Sequence, residues 1–414
     1  MTSVLEETSW STSPAIPLRP EVSFPIDPQL GELPCLFDAD WIWRAYCREF
    51  GRPEVDPKDI RIRQFAHRVG RTALVSYEME WDADTYLPSQ HFYAYLERSR
   101  PIELSRFPHD RRLPGLPDAY HPDTALALLN RHVLPFRERR AAVDVIRYRA
   151  MNRAVLRHRA GRAKFYARVM RPDAVVPLLR AHDLVAQSGF VAPRLAGHWA
   201  EGGVVWFSEI PGKNLRQQIR RDKAPEPSLI LDGLQTLWDT PPDPGTNPPF
   251  NLAGAYERAK SSIGQNVQDD VTSLRDLNGA TAALDPFVHS WRPTATAHND
   301  FYDDQMLVFD DGRIAVVDFE EAGLGDPLLD IGNFLAHLNW AGTFGSERRA
   351  GRFAAYHTSF REAALERFGW SEPELAYREA VCLFRLCTNT IRRAREDWSE
   401  RLRDGLRLVN ETLG

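Results

Sequence analysis

Residues 297–320 read AHNDFYDDQMLVFDDGRIAVVDFE, and this stretch decides the fold. It opens with a His-x-Asp triplet, His298 to Asp300, and an amide side chain, Gln305, follows five residues after that aspartate. Two apolar runs on either side of an Asp-Asp-Gly turn come next, and the second run ends in Asp318. Apolar runs around such a turn predict a β-hairpin. The hairpin brings the loop of Asp300 and Gln305 beside the strand end of Asp318.

The polar residues around this hairpin form the set that phosphoryl transfer requires. One carboxylate accepts or orients the proton of an attacking hydroxyl, while a second carboxylate and a neutral oxygen hold Mg²⁺ on a triphosphate. Mg²⁺ prefers hard oxygen ligands, and an aspartate plus an amide carbonyl supplies them. The spacing, the strand context and the helical pattern that follows favour this interpretation. The competing one, turn formation and solvation, adequately explains Asp303, Asp304, Asp310 and Asp311.

The same stretch resembles the catalytic loop and metal-binding strand of the superfamily that contains aminoglycoside phosphotransferases, choline kinases and maltokinases. HNDFYDDQ is similar to the family pattern HxDxxxxN, and VVDFEEAGLGDPLLDIG is similar to IDxxxxxxGDPxxDLA. By this resemblance Asp300 is the catalytic base and His298 supports the loop. Asp318 and Gln305 are the Mg²⁺ ligands, with Gln in place of the usual Asn. Glu320 is a candidate contact to a second ion.

The GDPxxD element of this resemblance predicts capping rather than catalysis. Asp326 and Asp330 stand at its two acidic positions, and we expect them to cap the loop and the following helix. Only residues 319–324 lie between Asp318 and this element, which leaves no room for the activation segment of a protein kinase. A protein substrate is therefore disfavoured.

The resemblance extends from about residue 143 to the C-terminus and includes a candidate phosphate-binding strand. ARVMRP at 167–172 is similar to the family's VKVxRP, whose lysine contacts the nucleotide phosphates, and Arg168 stands at that position. Lys164, four residues earlier and on the same strand face, is the alternative. Arginine keeps the positive charge, but its planar fork is not equivalent to an ammonium group.

Two further segments resemble nucleotide contacts of the family. RAMNR joins the first two strands of the predicted N-lobe, as RYKPxRR does in the family. The sequence has no glycine-rich G-x-G-x-x-G loop there. Arg149 and Arg153 in this turn are expected either to contact phosphate or to lie on the surface. FSEIPG at 207–212 resembles the segment that links the lobes, where the backbone of Ser208 and Ile210 would pair with adenine.

The sequence therefore predicts an α+β, protein-kinase-like bilobal fold with a small antiparallel β N-lobe and a larger helical C-lobe. Strand patterns occupy 60–81, 91–98 and 143–170, the last with a turn at its Ala-Gly dipeptide, and helical patterns dominate from 228 onward. The first strands precede the kinase-like part and predict an extra N-terminal β-rich module. The predicted segments are a flexible leader at 1–30, the accessory module at 31–135, the N-lobe at 136–210 and the helical C-lobe with the catalytic loop at 211–414.

Composition excludes several other classes of protein. The chain has 414 residues, 43% of them hydrophobic and 26% charged, and a net charge of −5, which is typical of a globular enzyme rather than a disordered or nucleic-acid-binding chain. No apolar run approaches the ~20 residues that span a bilayer. The N-terminus lacks the basic and apolar parts of a signal peptide, which predicts a cytoplasmic protein without membrane partners. Four scattered cysteines predict neither disulfides nor a zinc site.

Two functions remain open at this point. The first is a metabolite or antibiotic kinase that moves the γ-phosphate of ATP·Mg²⁺ to a hydroxyl of a sugar, an aminoglycoside or a related alcohol. The second is a nucleotide-binding pseudokinase or scaffold without turnover, motivated by Arg168 and by the helix predicted at 174–188. That helix offers only His182 and Asp183 where the family has a glutamate partner for the cation. The acceptor, the choice between ATP and GTP, and the oligomeric state stay open.

Overall fold

The computed structural model describes residues 16–17, 27–82, 89–243, 245, 247–267, 270–345, 347–392 and 397–414. The leader predicted at 1–30 lies mostly outside the described residues. The chain divides into two compact units. The first unit comprises Met1–Val175, Leu195–Glu209 and Ile391–Trp398, and the second unit comprises Val176–Arg194, Ile210–Thr390 and Ser399–Gly414.

The first unit begins with a five-stranded antiparallel sheet, the N-terminal sheet, whose strands neighbour each other in chain order. A helix packs on this sheet. Asp38 caps the start of the helix by accepting a hydrogen bond from the Trp41 amide at 2.9 Å. Ile42 and Tyr46 of this helix join the buried core with Tyr77 of the sheet. The elements are β1 (Ile16–Pro17), α1 (Ala39–Phe50), β2 (Asp59–Arg68), β3 (Thr72–Glu80), β4 (Gln90–Glu97) and β5 (Glu103–Arg106).

A second five-stranded antiparallel sheet, the second sheet, completes the first unit, with strand order β6-β7-β8-β10-β9. Residues 153–160 and 163–169 alternate between a buried and a more exposed face, so that Ala167 lies in the core while Arg168 lies on the other face. Gly161, with φ of 58°, forms the predicted turn between β7 and β8. The elements are α2 (Leu116–Tyr120), α3 (Pro122–His132), β6 (Ala142–Arg149), β7 (Arg153–Ala160), β8 (Ala163–Val169), β9 (Leu195–Trp199) and β10 (Val204–Ser208).

The second unit is mostly helical and contains two small sheets, of order β11-β13-β14 and β12-β15. Its hydrophobic core contains aromatic residues such as Phe334, Phe353 and Phe360. The helices are α4 (Val175–Ala186), α5 (Leu215–Arg220), α6 (Pro227–Asp239), α7 (Leu252–Asn266), α8 (Val271–Ser290), α9 (Pro327–Thr343), α10 (Glu347–Phe368), α11 (Glu372–Arg392) and α12 (Trp398–Leu413). The strands are β11 (Lys213–Asn214), β12 (Ala295–Ala297), β13 (Met306–Val308), β14 (Ile314–Val316) and β15 (Gly323–Gly325).

This architecture confirms the predicted fold class, including the extra N-terminal β-rich module. The decisive hairpin is also present, with Met306 opposite Val316. Its second strand ends earlier than predicted, at Val316 rather than at Asp318. Asp318 has a φ of 69°, in the left-handed region, and this conformation is incompatible with a continuing strand. The boundaries of the four predicted segments stay predictions.

Two predictions from composition can be compared with the described part of the chain. None of its helices combines the length and the apolar character that a membrane span requires. All four cysteines have free thiols, as expected, and two of them, Cys382 and Cys387, are buried.

Candidate active site

The predicted catalytic loop starts where a short two-stranded sheet ends. β12 pairs antiparallel with β15, with Ala297 opposite Gly323. Gly325 permits a close approach here, because a Cβ at this position would lie 1.9 Å from Asn299 Oδ1 and 2.8 Å from the Cβ of Ala297. The glycine of the Gly-Asp-Pro motif is therefore required by packing against the loop.

A buried carboxylate on α9 fixes the beginning of the loop. Asp330 accepts hydrogen bonds from the backbone amides of His298 and Asn299, both at 2.8 Å, and from Trp238 Nε1 at 3.1 Å. Asn299 has a φ of 64°, which is uncommon for a residue other than glycine. Burial raises the pKa of Asp330 to about 7, against the opposing effect of these donors. The bonds hold the loop backbone in its left-handed conformation.

Asp326 caps the helix that follows, as predicted. Its Oδ1 accepts a hydrogen bond from the Leu328 amide at 2.9 Å. Its Oδ2 accepts from Trp291 Nε1 at 2.7 Å and from Arg378 Nε at 3.1 Å. Pro327 occupies the first helical turn, where a missing N–H costs nothing. Packing and capping thus account for the Gly-Asp-Pro triplet.

Asp300 and Gln305 are in direct contact in the loop. Gln305 Nε2 donates a hydrogen bond to Asp300 Oδ2 at 3.0 Å. Burial, with a contribution from the negative charge of Asp318, raises the pKa of Asp300 to about 7, although Arg385 and the bond from Gln305 oppose the shift. A carboxyl group with a pKa near the working pH is suited to act as a general base.

Gln305 also presents a candidate metal ligand. Its Oε1 is buried and has no hydrogen-bond partner within the described ranges. The Gln305 carbonyl accepts a hydrogen bond from the Val317 amide at 2.9 Å, which ties the loop to the residue that precedes Asp318. No group of three His, Cys, Asp or Glu residues that could hold a metal exists among the described residues. Mg²⁺ does not need one, because one or two carboxylates plus substrate phosphates commonly hold it. The donor set present here fits this ion.

His298 and Glu320 occupy different environments. His298 is fully buried, and neither ring nitrogen has a hydrogen-bond partner among the residues that the structure describes. Burial lowers the pKa of His298 to about 4, so the ring is neutral and packs edge-on against Phe301, with 5.6 Å between ring centroids. Glu320 is half-buried, and its carbonyl accepts a hydrogen bond from Asn247 Nδ2 at 2.6 Å.

One acidic residue of the loop contradicts its sequence interpretation. Asp303 is fully buried, so the interpretation of its side chain as a solvated loop carboxylate is wrong. Arg216 Nε and one terminal nitrogen each donate to it at 2.8 Å, and burial of an ionised carboxylate requires such a partner. Asp311 does form the expected turn and accepts from the Arg313 amide at 3.1 Å. Asp303 thus belongs to the scaffold of the loop.

A family model described as "Phosphotransferase enzyme family" (APH) matches residues 143–370, more than half of the 414-residue chain. This chain belongs to the phosphotransferase enzyme family. A comparison with curated proteins returns no match.

Solved structures similar to this phosphotransferase include an aminoglycoside phosphotransferase, with 12% identity, a TM-score of 0.49, and coverage of 66% of this chain and 95% of that one. A thermostable mutant of that enzyme, in a ternary complex with ADP and hygromycin B, has 14% identity and a TM-score of 0.47. The match covers 66% of this chain and 94% of that one. The choline kinase LicA from Streptococcus pneumoniae has 13% identity and a TM-score of 0.47, and the match covers 69% of this chain and 96% of that one.

The candidate nucleotide residues of this phosphotransferase lie largely in the first unit. Lys164 and Arg168 share the partly exposed face of β8, as predicted. Lys164 Nζ lies 3.1 Å from a carboxylate oxygen of Glu209. Arg168 stands farther along the strand, opposite Val205 of β10.

The remaining predicted residues lie at a turn and at a strand end. Arg149 and Arg153 are directly opposite each other, where β6 passes into β7. Ser208 is the last residue of β10, and Ile210 is the first residue after the chain has passed into the second unit.

Sequence reasoning missed Arg385 of this phosphotransferase. It lies on α11, its guanidinium carbon is 5.3 Å from the ring centroid of Phe250, and its positive charge lowers the pKa of Asp300. The helix pattern around it indicated only an apolar face. No local signal connects a residue on this helix to the loop.

Proposed function

We propose that this phosphotransferase transfers the γ-phosphate of ATP, together with Mg²⁺, to a hydroxyl group of a small molecule. The observation that carries the proposal is the contact between Asp300 and Gln305. One side of the contact is a carboxyl group whose pKa is raised to about 7, and the other is an amide whose buried oxygen has no partner in the described part of the chain. This contact supports the proposal of a general base beside a metal ligand.

In this mechanism Asp300 accepts the proton of the acceptor hydroxyl, or orients that hydroxyl toward the phosphate. Asp330 holds the loop backbone, so the base needs little reorganisation during the reaction. Gln305 and Asp318 would hold Mg²⁺, with Glu320 as the candidate for a second ion. When bound, the metal neutralises negative charge on the transferred phosphate. Catalysis comes mainly from positioning and charge neutralisation.

The raised pKa of Asp300 predicts the pH dependence of the reaction. Only the ionised carboxylate accepts a proton, so kcat/KM for ATP should fall as pH drops through about 7, the pKa of Asp300. Below that pH the decline should approach about tenfold per unit. Arg385→Gln removes a positive charge that lowers the pKa of Asp300. The acidic limb of the plot of kcat/KM against pH should therefore move to higher pH. Initial rates at a series of pH values test both expectations, and a limb near pH 4 in the wild type would contradict them.

The position of Arg168 on β8 supports it as the phosphate contact. Lys164 is paired with Glu209, at the segment whose backbone is proposed to bind adenine through Ser208 and Ile210. Arg168 is four residues farther along the strand, or about 13 Å at ~3.3 Å per residue. The phosphates of a nucleotide lie well away from its base. Arg168 therefore has the better position for a phosphate, and Lys164 for the linker.

We expect Arg168→Ala to raise the KM for ATP about tenfold or more, because it removes a charge-assisted contact to phosphate. Arg168→Lys should be tolerated or improved, since it keeps the charge. Lys164→Ala is the matched control on the same strand face. Steady-state kinetics with ATP as the varied substrate measure all three variants. If Lys164→Ala is damaging while Arg168→Ala is silent, the assignment is reversed.

Arg149 and Arg153 also support a phosphate-binding role for the second sheet. The two arginines lie directly opposite each other where β6 passes into β7. Guanidinium groups match phosphate oxygens in geometry. These two residues are proposed as additional nucleotide contacts.

The acceptor is proposed to be a hydroxyl-bearing small molecule such as a sugar, an aminoglycoside or an amino alcohol. Asp303 does not attract a cationic acceptor, because Arg216 already neutralises it in the protein interior. The experiment is ATP consumption by the purified protein with Mg²⁺ and a panel of these alcohols. At least one should accelerate consumption well above the hydrolysis seen without an acceptor.

A nucleotide-binding pseudokinase is the second candidate, and one observation favours it. Arg168 replaces the lysine of the family pattern, while on α4 the side chain of Asp183 is 72% exposed and that of His182 bonds to the Pro193 carbonyl at 2.8 Å. Binding of MgATP without turnover across the whole panel would support this candidate over the kinase.

A further inference from the structure

The turn between β6 and β7, residues 149–153 or the RAMNR turn, is buried at its tip. Ala150 and Met151 are only 2% and 7% exposed. The hairpin between β7 and β8 of the same sheet, at Gly161, is exposed, as hairpin tips usually are. Some other part of the first unit therefore covers the RAMNR turn.

The N-terminal sheet provides this cover. Leu74 of β3 and Tyr93 of β4 form one buried cluster with Ala150 and Met151. Tyr95 of β4 packs against the same cluster. The N-terminal module thus contacts the segment proposed to face phosphate.

Asp110, between the two sheets in sequence, adds hydrogen bonds to the same turn. Its side chain is buried, and its Oδ2 accepts from the Met151 amide at 2.7 Å and from Tyr148 Oη at 2.8 Å. Its Oδ1 accepts from the Arg112 amide at 2.9 Å. Phe107 also packs edge-on against Tyr148, with ring centroids 5.1 Å apart. A single buried carboxylate therefore joins the segment between β5 and α2 to the end of β6 and to the centre of the turn.

The backbone of the turn needs this support. Met151 has a φ of 57°, in the left-handed region that residues with a side chain adopt at a cost. The RAMNR turn contains no glycine that would enter this region freely. The bond from the Met151 amide to Asp110 and the burial of the Met151 side chain offset that cost. Without them, the turn is expected to relax to another conformation.

We propose that the N-terminal module is a buttress that holds the RAMNR turn in one conformation for binding the phosphates of a nucleoside triphosphate, with Asp110 as the positioning residue. The inference rests on the proposed function, since it takes the turn as a phosphate contact. A turn fixed before the ligand arrives has less conformational entropy to lose on binding. The module therefore acts on nucleotide affinity rather than on the chemical step.

The test compares Asp110→Ala with Asp27→Ala in the full chain. Asp27 is a matched control: it is buried and accepts from the Gly70 and Gln29 amides at 2.7 and 3.0 Å, but it supports a turn of the N-terminal sheet. Asp110→Ala should raise the KM for ATP about tenfold and leave kcat within about twofold. Its amides at 149–153 should exchange hydrogen faster than in the wild type. Asp27→Ala should leave both properties at wild-type values even where it lowers the melting temperature.

Tyr148→Phe removes the hydrogen bond from Tyr148 to Asp110 and keeps the aromatic ring. It replaces Asp110→Ala as the test variant if Asp110→Ala does not fold. It should raise the KM for ATP about threefold and speed exchange in the turn. Equal KM values and equal exchange in the Asp110, Tyr148 and Asp27 variants would overturn the buttress. A wild-type protein that does not bind ATP would instead overturn the proposed function. Hydrogen exchange of the amides at 149–153 still distinguishes failure of the buttress from failure of the proposed function, because the exchange measurement needs no nucleotide.

Discussion

Asp318→Ala is expected to abolish Mg²⁺-dependent nucleotide binding and to lower kcat by at least about a thousandfold, because a metal contributes several kcal/mol of charge stabilisation. The fold should persist, since Asp318 is half-buried and lies outside the hydrophobic core. Calorimetric titration with MgATP measures the loss. An unchanged affinity would show that another residue holds the metal.

Two variants serve as controls for Asp318→Ala. Asp318 has a φ of 69°, which asparagine tolerates better than alanine, so Asp318→Asn removes the charge with less strain. It should weaken MgATP binding in the same direction as Asp318→Ala. Asp310→Ala changes a carboxylate of the same hairpin whose side chain is 87% exposed, and it should bind MgATP as the wild type does.

Asp300→Asn is expected to lower kcat at least about a hundredfold, the low end for a positioned general base, with little change in ATP affinity. The substitution keeps the shape of the side chain and removes the charge that accepts the proton. Binding survives while the chemical step fails. Turnover with the true acceptor, or background ATP hydrolysis where none is found, provides the rate in each protein.

Asp304→Asn is the control for this change, because Asp304 lies in the same loop and is exposed. It should retain most of the wild-type kcat. Equal rates for Asp300→Asn and the wild type would show that Asp300 is not the base.

The sequence predicted the fold well where the signals are local. The alternation of β7 and β8 around Gly161 and the apolar runs around the Asp-Asp-Gly turn each depend on a few neighbouring residues. The contact between Asp300 and Gln305 spans five positions, so the motif alone placed both residues in one loop. Asp326 was interpreted correctly as a helix cap for the same reason, since it accepts from the amide of Leu328, two positions later.

The features that could not be predicted depend on distant partners. Asp303 looked like a turn residue because its partner Arg216 stands 87 positions earlier. Asp110 belongs to no motif in the sequence, and its partner Met151 stands 41 positions later. Arg385 comes from a helix whose pattern indicates packing. Local patterns specify the elements, whereas these ion pairs and hydrogen bonds arise only when the elements pack.

Direct detection of the phosphorylated acceptor tests the central claim, γ-phosphate transfer to a small-molecule hydroxyl. Wild-type protein is incubated with γ-labelled ATP, Mg²⁺ and the alcohol panel, and label on each alcohol is followed over time beside Asp300→Asn. We expect label on at least one alcohol with the wild type and at least about a hundredfold slower labelling with the variant. Wild-type protein that binds MgATP but labels no alcohol would contradict the account and support a nucleotide-binding pseudokinase.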